Sequence, residues 1–201
     1  MSRHGRKIKG IYERVKAKPD EIKALPILVH GDKVATVLLG SCERVANPRA
    51  SRIKLTIDAL KKTAAVSGSY SLSSNQVGIT NSVFVMHKGI IEGEGNDWLH
   101  PHAYTVQEQT PFYEDQHAVP IDNLLEPDDF DVIINPMVHS ETKRQTFEWE
   151  YCLSFPGIRC MVKRPTGIIV SYLDPVGEII EKEMTGFSAR VFLHEMDHVN
   201  G

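Results

Sequence analysis

The residues best able to do chemistry stand together in His194-Glu195-Met196-Asp197-His198. On a helix, histidines four apart share one face, so two imidazoles can reach a single cation. The glutamate after the first histidine is offset around the helix, beside the cation's open position. There a carboxylate can take a proton from water. Catalytic Zn²⁺- or Fe²⁺-type sites usually have three protein ligands and one open position. The chain runs only to Gly201, so the third ligand is expected from upstream. Cys152, in Glu150-Tyr151-Cys152-Leu153-Ser154, is the candidate, because a thiolate suits either metal. Taken alone, such a cysteine reads as a small buried hydrophobe. The histidine pair favours the ligand reading. Cys42 and Cys160 have no such company and read as structural.

These segments resemble the motifs of the peptide deformylases, metalloenzymes that remove the formyl group from the N-terminal methionine of new polypeptides. The H-E-x-x-H motif of that family matches His194 to His198, with Asn200-Gly201 behind it. The E-G-C-L-S motif matches Glu150 to Ser154, except that Tyr151 stands where glycine is expected. The G-x-G-x-A-A-x-Q motif corresponds to Ser69-Tyr70-Ser71-Leu72-Ser73-Ser74-Asn75-Gln76, with serines at both glycine and both alanine positions. Ile134-Asn135-Pro136 and Val162-Lys163-Arg164-Pro165 also sit where similar segments occur.

The resemblance implies one divalent metal ion, Fe²⁺ natively and Zn²⁺ in purified protein, held by Cys152, His194 and His198. Glu195 would be the proton acceptor and donor. The Gln76 side-chain amide and the backbone N–H of Leu153 would meet the developing oxyanion. Arg159 and the backbone near Tyr70 and Ser71 would hold an N-formylmethionyl peptide in an extended pose. Phe187, Arg190 and Val191 would line the methionine pocket. Tyr151 would narrow or redirect the substrate cleft, so weakened or altered activity is expected. A deformylase-like metal-containing binding protein without efficient turnover is the alternative. The resemblance also raises the ribosome as a partner, and bacterial or organellar translation as the setting.

The elements that must position these residues are partly legible. From Ser51 to Ser67, Ile53, Ile57, Leu60 and Ala64 form one helical stripe, and Gly68 follows as a C-terminal stop. Val83–His87 and Asp131–Asn135 are short, apolar, β-branched runs. Ile168–Leu173 and Glu178–Met184 flank Asp174-Pro175-Val176-Gly177, a turn that predicts a hairpin. Gly186 precedes a final helix from about Phe187. Helices segregated from hairpin strands indicate an α+β fold. The resemblance makes this antiparallel sheets around a C-terminal helix that carries the histidines.

Charge divides the chain further. Residues 1–34 read as a basic extension, with Arg3, Arg6, Lys7, Lys9, Arg14, Lys16 and Lys18 against Glu13 in its first part. Such a stretch reads either as an organelle transit segment or as a solvated tail. Residues 35–201 read as one metallohydrolase domain, with an acidic insertion at 88–131 where Lys88 faces eleven carboxylates. His100, His102 and His117 in the insertion read as solvated, since they lack partners at fixed spacing. A mitochondrion or other organelle is the expected compartment, with the cytoplasm as alternative. At 41% hydrophobic and 24% charged residues, the composition excludes a wholly disordered chain. The net charge of −3 argues against a nucleic-acid binder that relies on basicity. No apolar run is long enough to span a membrane. His198 stands close to Gly201, and a fraying last turn would hold metal poorly, so either the ligand helix is buried in the core or the chain is truncated there.

Overall fold

The computed structural model describes residues 22–32, 35–93 and 125–201. The basic residues up to Lys18, and His100, His102 and His117, lie outside the described residues.

Helix α1 (Ser51–Ser67) buries Ile53, Ile57, Leu60 and Ala64 and leaves Lys54 and Lys62 in water. Gly68 stops it with φ of 66°, a left-handed conformation in which its N–H reaches the Ala64 and Ala65 carbonyls. Strands β1 (Ser71–Ser73) and β2 (Val83–His87), helix α2 (Lys88–Ile91) and strands β3 (Phe130–Glu141), β4 (Gln145–Tyr151), β5 (Arg159–Pro165), β6 (Gly167–Leu173) and β7 (Ile179–Thr185) follow. Helix α3 (Gly186–Asn200) comes last. The main sheet is antiparallel in the order β1-β2-β3-β6-β7, and β4 and β5 form a separate hairpin. The α+β architecture with a C-terminal helix is the one expected. No helix among the described residues is long and apolar enough to cross a membrane.

Side chains on a strand alternate between faces. In β2, Val83 and Val85 join the α1 cluster with Leu72, Phe130, Val132 and Ile134. Phe84 and Met86 point the other way and join Ala189, Phe192 and Leu193 of α3. This part of the sheet is therefore covered on both faces, which is why every residue of β2 is buried. Phe84 and Phe192 meet edge to face at 5.2 Å between ring centroids. Each fully buried phenylalanine contributes about 1.5–3 kcal/mol by leaving water. Farther along, the sheet opens to solvent: β6 sends Ile168, Val170 and Tyr172 inward, while Ile169 is 47% exposed.

The structure differs from expectation in several places. The strand expected at Asp131–Asn135 continues to Glu141, past a register irregularity after Ile134. Asn135 there has φ of 51°, and its side-chain amide exchanges two hydrogen bonds with the Val45 backbone, both 2.8 Å. Those bonds hold a left-handed conformation that a non-glycine residue rarely adopts. Both ends of the segment read as an insertion belong to the fold. Gly89, Ile90 and Ile91 of α2 are buried, and Phe130 and Asp131 lie in β3. Part of the expected extension also belongs to it, since Leu28 N–H donates to the Gln76 carbonyl and His30 N–H to that of Ser154.

Candidate metal centre

Helix α3 presents His194 and His198 one turn apart, with ring centroids 5.2 Å from each other. Cys152 enters from the turn that follows β4. Its Sγ lies 3.1 Å from His198 Nε2. One ligand atom from each of Cys152, His194 and His198 lies within 4.8 Å of the others. The turn is closed by a bond from Phe155 N–H to the Cys152 carbonyl.

The last turn of α3 is buried and tied down. Asn75 Nδ2 donates to the His198 carbonyl, Cys42 N–H to that of Val199 at 2.8 Å, and Ser41 Oγ to that of Asn200 at 2.6 Å. Carbonyls that a helix terminus leaves unpaired are thus bonded from outside the helix. His198 is buried as a result.

A charged cluster joins the hairpin to α3. Glu150 accepts from Arg164 Nε at 2.9 Å and Nη2 at 2.8 Å, and from Arg190 Nη1 at 2.8 Å. Glu150 Oε2 also lies 3.0 Å from His194 Nδ1, which leaves His194 Nε2 for the cluster. Arg164 reaches on to Asp197 at 2.8 Å, and Arg190 to Glu148 at 3.3 Å. Burial alone would raise the Glu150 carboxyl, but the bonds and charges of Arg164 and His194 outweigh it and bring the pKa down to about 2.

The three donors influence one another in the same way. Burial would raise the Cys152 thiol, yet the hydrogen bonds and charges of His194 and His198 lower it to about 6. Burial would lower His194, yet its bonds to Cys152 and Glu150 and the charge of Glu195 raise it to about 10. A thiolate beside two imidazoles, one of them oriented by a carboxylate, is a donor set that fits a Zn²⁺- or Fe²⁺-type cation. Cys42 behaves differently: burial pushes its thiol up to about 11, with only partial relief from Ser74. That matches an inert structural cysteine.

Glu195 is 2% exposed. Its Oε1 accepts from Ser71 Oγ at 2.6 Å and its Oε2 from Ser73 Oγ at 2.7 Å. Gln76 sits in a 3₁₀ turn, Ser74–Val77, after β1. Its Oε1 accepts from Ser73 N–H at 2.9 Å, so Nε2 faces the Cys152 turn, 3.5 Å from Cys152 Sγ and 3.3 Å from Ser154 Oγ. Leu153 packs its side chain against the α1 cluster.

The remaining expected residues separate. Tyr70 is half-buried, edge-on to His87 at 6.2 Å, and packs against the α3 cluster. Phe187 and Val191 pack in that cluster too. Arg190 is 4% exposed, and its guanidinium is held in ion pairs with Glu148 and Glu150. A buried guanidinium needs such carboxylates. Arg159 lies on the exposed face of the hairpin, 4.4 Å above the Trp149 ring and 3.5 Å from the Tyr151 hydroxyl.

Sequence reasoning missed the roles of Glu150, Arg164, Ser73 and Ser154. A signal for the first existed. Phe147-Glu148-Trp149-Glu150-Tyr151 alternates with period two, which places both glutamates on one face of a strand.

Comparison with known proteins agrees with this geometry. The polypeptide deformylase family model matches residues 24–201. Peptide deformylase 1 of Nitrosomonas europaea is 30% identical over 176 residues, 88% of this chain and 82% of that protein. The chloroplastic peptide deformylase 1B of Oryza sativa subsp. japonica is 44% identical over 70 residues, 35% of this chain and 26% of that protein. The crystal structure of peptide deformylase from Thermotoga maritima superposes with a TM-score of 0.65 at 28% identity, covering 89% of this chain and 92% of that one. With the thiolate, the histidine pair and the buried glutamate in one place and the match running over nearly the whole described chain, this protein belongs to the polypeptide deformylase family.

Proposed function

We propose that the protein hydrolyses the N-formyl group from the initiator methionine of nascent peptides. The observation that carries this reading is the convergence of Cys152, His194 and His198 around one point, with Glu195 adjacent in the chain. Those three residues would hold one divalent ion, Fe²⁺ natively, with Zn²⁺ as the other occupant the donors suit. When bound, the ion supplies an electrophile for the formyl oxygen and makes water more acidic.

The chain's own groups do the rest. Glu195 accepts the proton of the attacking water and later delivers it to the amine nitrogen as the C–N bond breaks. Formate and a free N-terminal amine are the products. Gln76 Nε2, aimed toward Cys152 by the Ser73 bond to Oε1, and the Leu153 N–H stabilise the charge that develops on the formyl oxygen. Glu150 keeps His194 in one tautomer and orientation. Arg159, with the backbone of Tyr70 and Ser71, holds the peptide extended, and Phe187 and Val191 border the methionine side chain. Tyr151 narrows the approach, so turnover is slower than with glycine there. The matched stretch, residues 24–201, acts as one catalytic domain in an organelle. The rice relative's chloroplastic description supports that setting, and ribosome association would place the enzyme near its substrate.

The test is a formyl-Met-peptide assay on anaerobically prepared, Fe²⁺-loaded protein. Glu195→Ala is expected to lower kcat by about 10²–10⁴-fold while metal content stays at wild type. Equal function in this variant would leave the metal-containing binding protein as the reading. A wild-type rate typical of the family would remove the slowing assigned to Tyr151.

A further inference from the structure

Strand β1 departs from the family pattern where it touches the base. Ser71 stands at a glycine position of the first motif and Ser73 at an alanine position, and neither usual residue has a hydroxyl to donate. Here each hydroxyl donates to a different oxygen of Glu195, at 2.6 and 2.7 Å. The Ser73 hydroxyl also lies 3.3 Å from the Glu195 carbonyl. We propose that Ser71 and Ser73 are positioning residues that clamp the Glu195 carboxylate for proton transfer. The proposal rests on the reading of Glu195 as the base.

The terminal torsion of a glutamate side chain is broad and weakly held by itself. One donor on each oxygen removes that freedom and directs the remaining lone pairs away from β1. Both contacts fall in the short range of charge-assisted hydrogen bonds. Glu195 is nearly inaccessible and Ser73 wholly so, and water has little room to replace the Ser73 hydroxyl, while Ser71 is half-buried. A buried carboxylate without donors is costly. Ser73 has a second task. Its N–H holds Gln76 Oε1, so one buried residue ties the base through its side chain and the oxyanion donor through its backbone. Ser69 Oγ, bonded to the Ser71 carbonyl at 2.6 Å, braces the start of the strand. The serine substitutions in this motif thus carry a role of their own: they link the base and the amide into one rigid unit.

Ser73→Ala removes only the hydroxyl and keeps the N–H that orients Gln76. In Fe²⁺-loaded protein acting on a formyl-Met peptide, Ser71→Ala and Ser73→Ala should each lower kcat about tenfold, the scale of a hydrogen bond to a charged group. The double variant should lose more. KM and metal content should stay near wild type, and Ser71→Thr, which retains a hydroxyl, should recover most of the loss. A double variant with wild-type or higher kcat and full metal content overturns the proposal. A double-mutant cycle of Ser73→Ala with Glu195→Ala, read as unfolding equilibrium constants of the metal-free protein, tests the clamp without turnover. Non-additivity of about tenfold supports it, and additivity overturns it. Should the wild type fail to hydrolyse formyl-Met peptides, the functional reading falls and the cycle still decides the clamp.

Discussion

Strands β2 and β4 both approach helix α3, and they do so with different chemistry. β2 offers Phe84 and Met86 to Phe192 and its neighbours, an apolar contact with no preferred direction. β4 offers Glu148 and Glu150 to Arg190 and His194, with Arg164 of β5 closing the cluster. Its opposite face carries Phe147 and Trp149, 63% and 49% exposed. Strand β4 is therefore aromatic on its outer face and charged on its inner one, whereas β2 is apolar on both. Apolar packing fixes how deep α3 lies, whereas hydrogen-bonded charges fix angle and distance as well. Two of the proposed ligands stand on the packed helix, and the third follows the charged strand. The metal centre is a joint between two regions, and Glu150 sits at that joint.

The largest effect should come from breaking the joint. Glu150→Ala leaves the buried Arg164 and Arg190 guanidinium groups without their shared carboxylate, a loss expected to cost about 3–5 kcal/mol in chemical denaturation. It also releases His194 Nδ1, which should weaken metal binding about 10–100-fold in a titration. Unchanged metal affinity would mean that packing alone aligns the hairpin with α3.

Acid titration sharpens the same contrast. Glu150 is held at about 2 against an ordinary value of 4.5, so it stabilises the folded state. A depressed carboxylate contributes fully above the unfolded value and loses its contribution as pH falls toward the folded one. Metal-free protein should thus lose stability between pH 4.5 and about 2, and Glu150→Gln should flatten that slope. Equal slopes in both proteins would remove Glu150 as the cause.

The smallest effect should come from the hairpin's outer face. Trp149→Ser gives up a stacked Arg159 contact in solvent, worth under about 1 kcal/mol. A loss as large as that of Glu150→Ala would show that the outer face, too, holds the hairpin in place.

Much of this is legible in the sequence. The α1 boundaries, its glycine stop, the final helix and the β6–β7 hairpin follow from patterns spanning a few residues. The β4–β5 hairpin was missed because glutamates, arginines and lysines interrupt any apolar run in it. Its inward face is charged, so the usual sign of a buried strand face is absent. The ion pairs of Arg190 escape the sequence for a related reason. A residue on the helix before the ligands can face a pocket or an ion pair, and only the partner strand decides which.

By itself the sequence determined that His194 and His198 share a face and that Glu195 stands offset beside them, because the 3.6-residue helical period relates near neighbours. It also determined the family, through the cysteine and histidine motifs taken together. Tertiary structure alone decided the Cys152–His198 contact across 46 positions, the orientation of His194 by Glu150 across 44, and the meeting of Glu195 with Ser71 across 124. Contacts at those separations depend on strand register and on which faces the two clusters bury, and no local period encodes either.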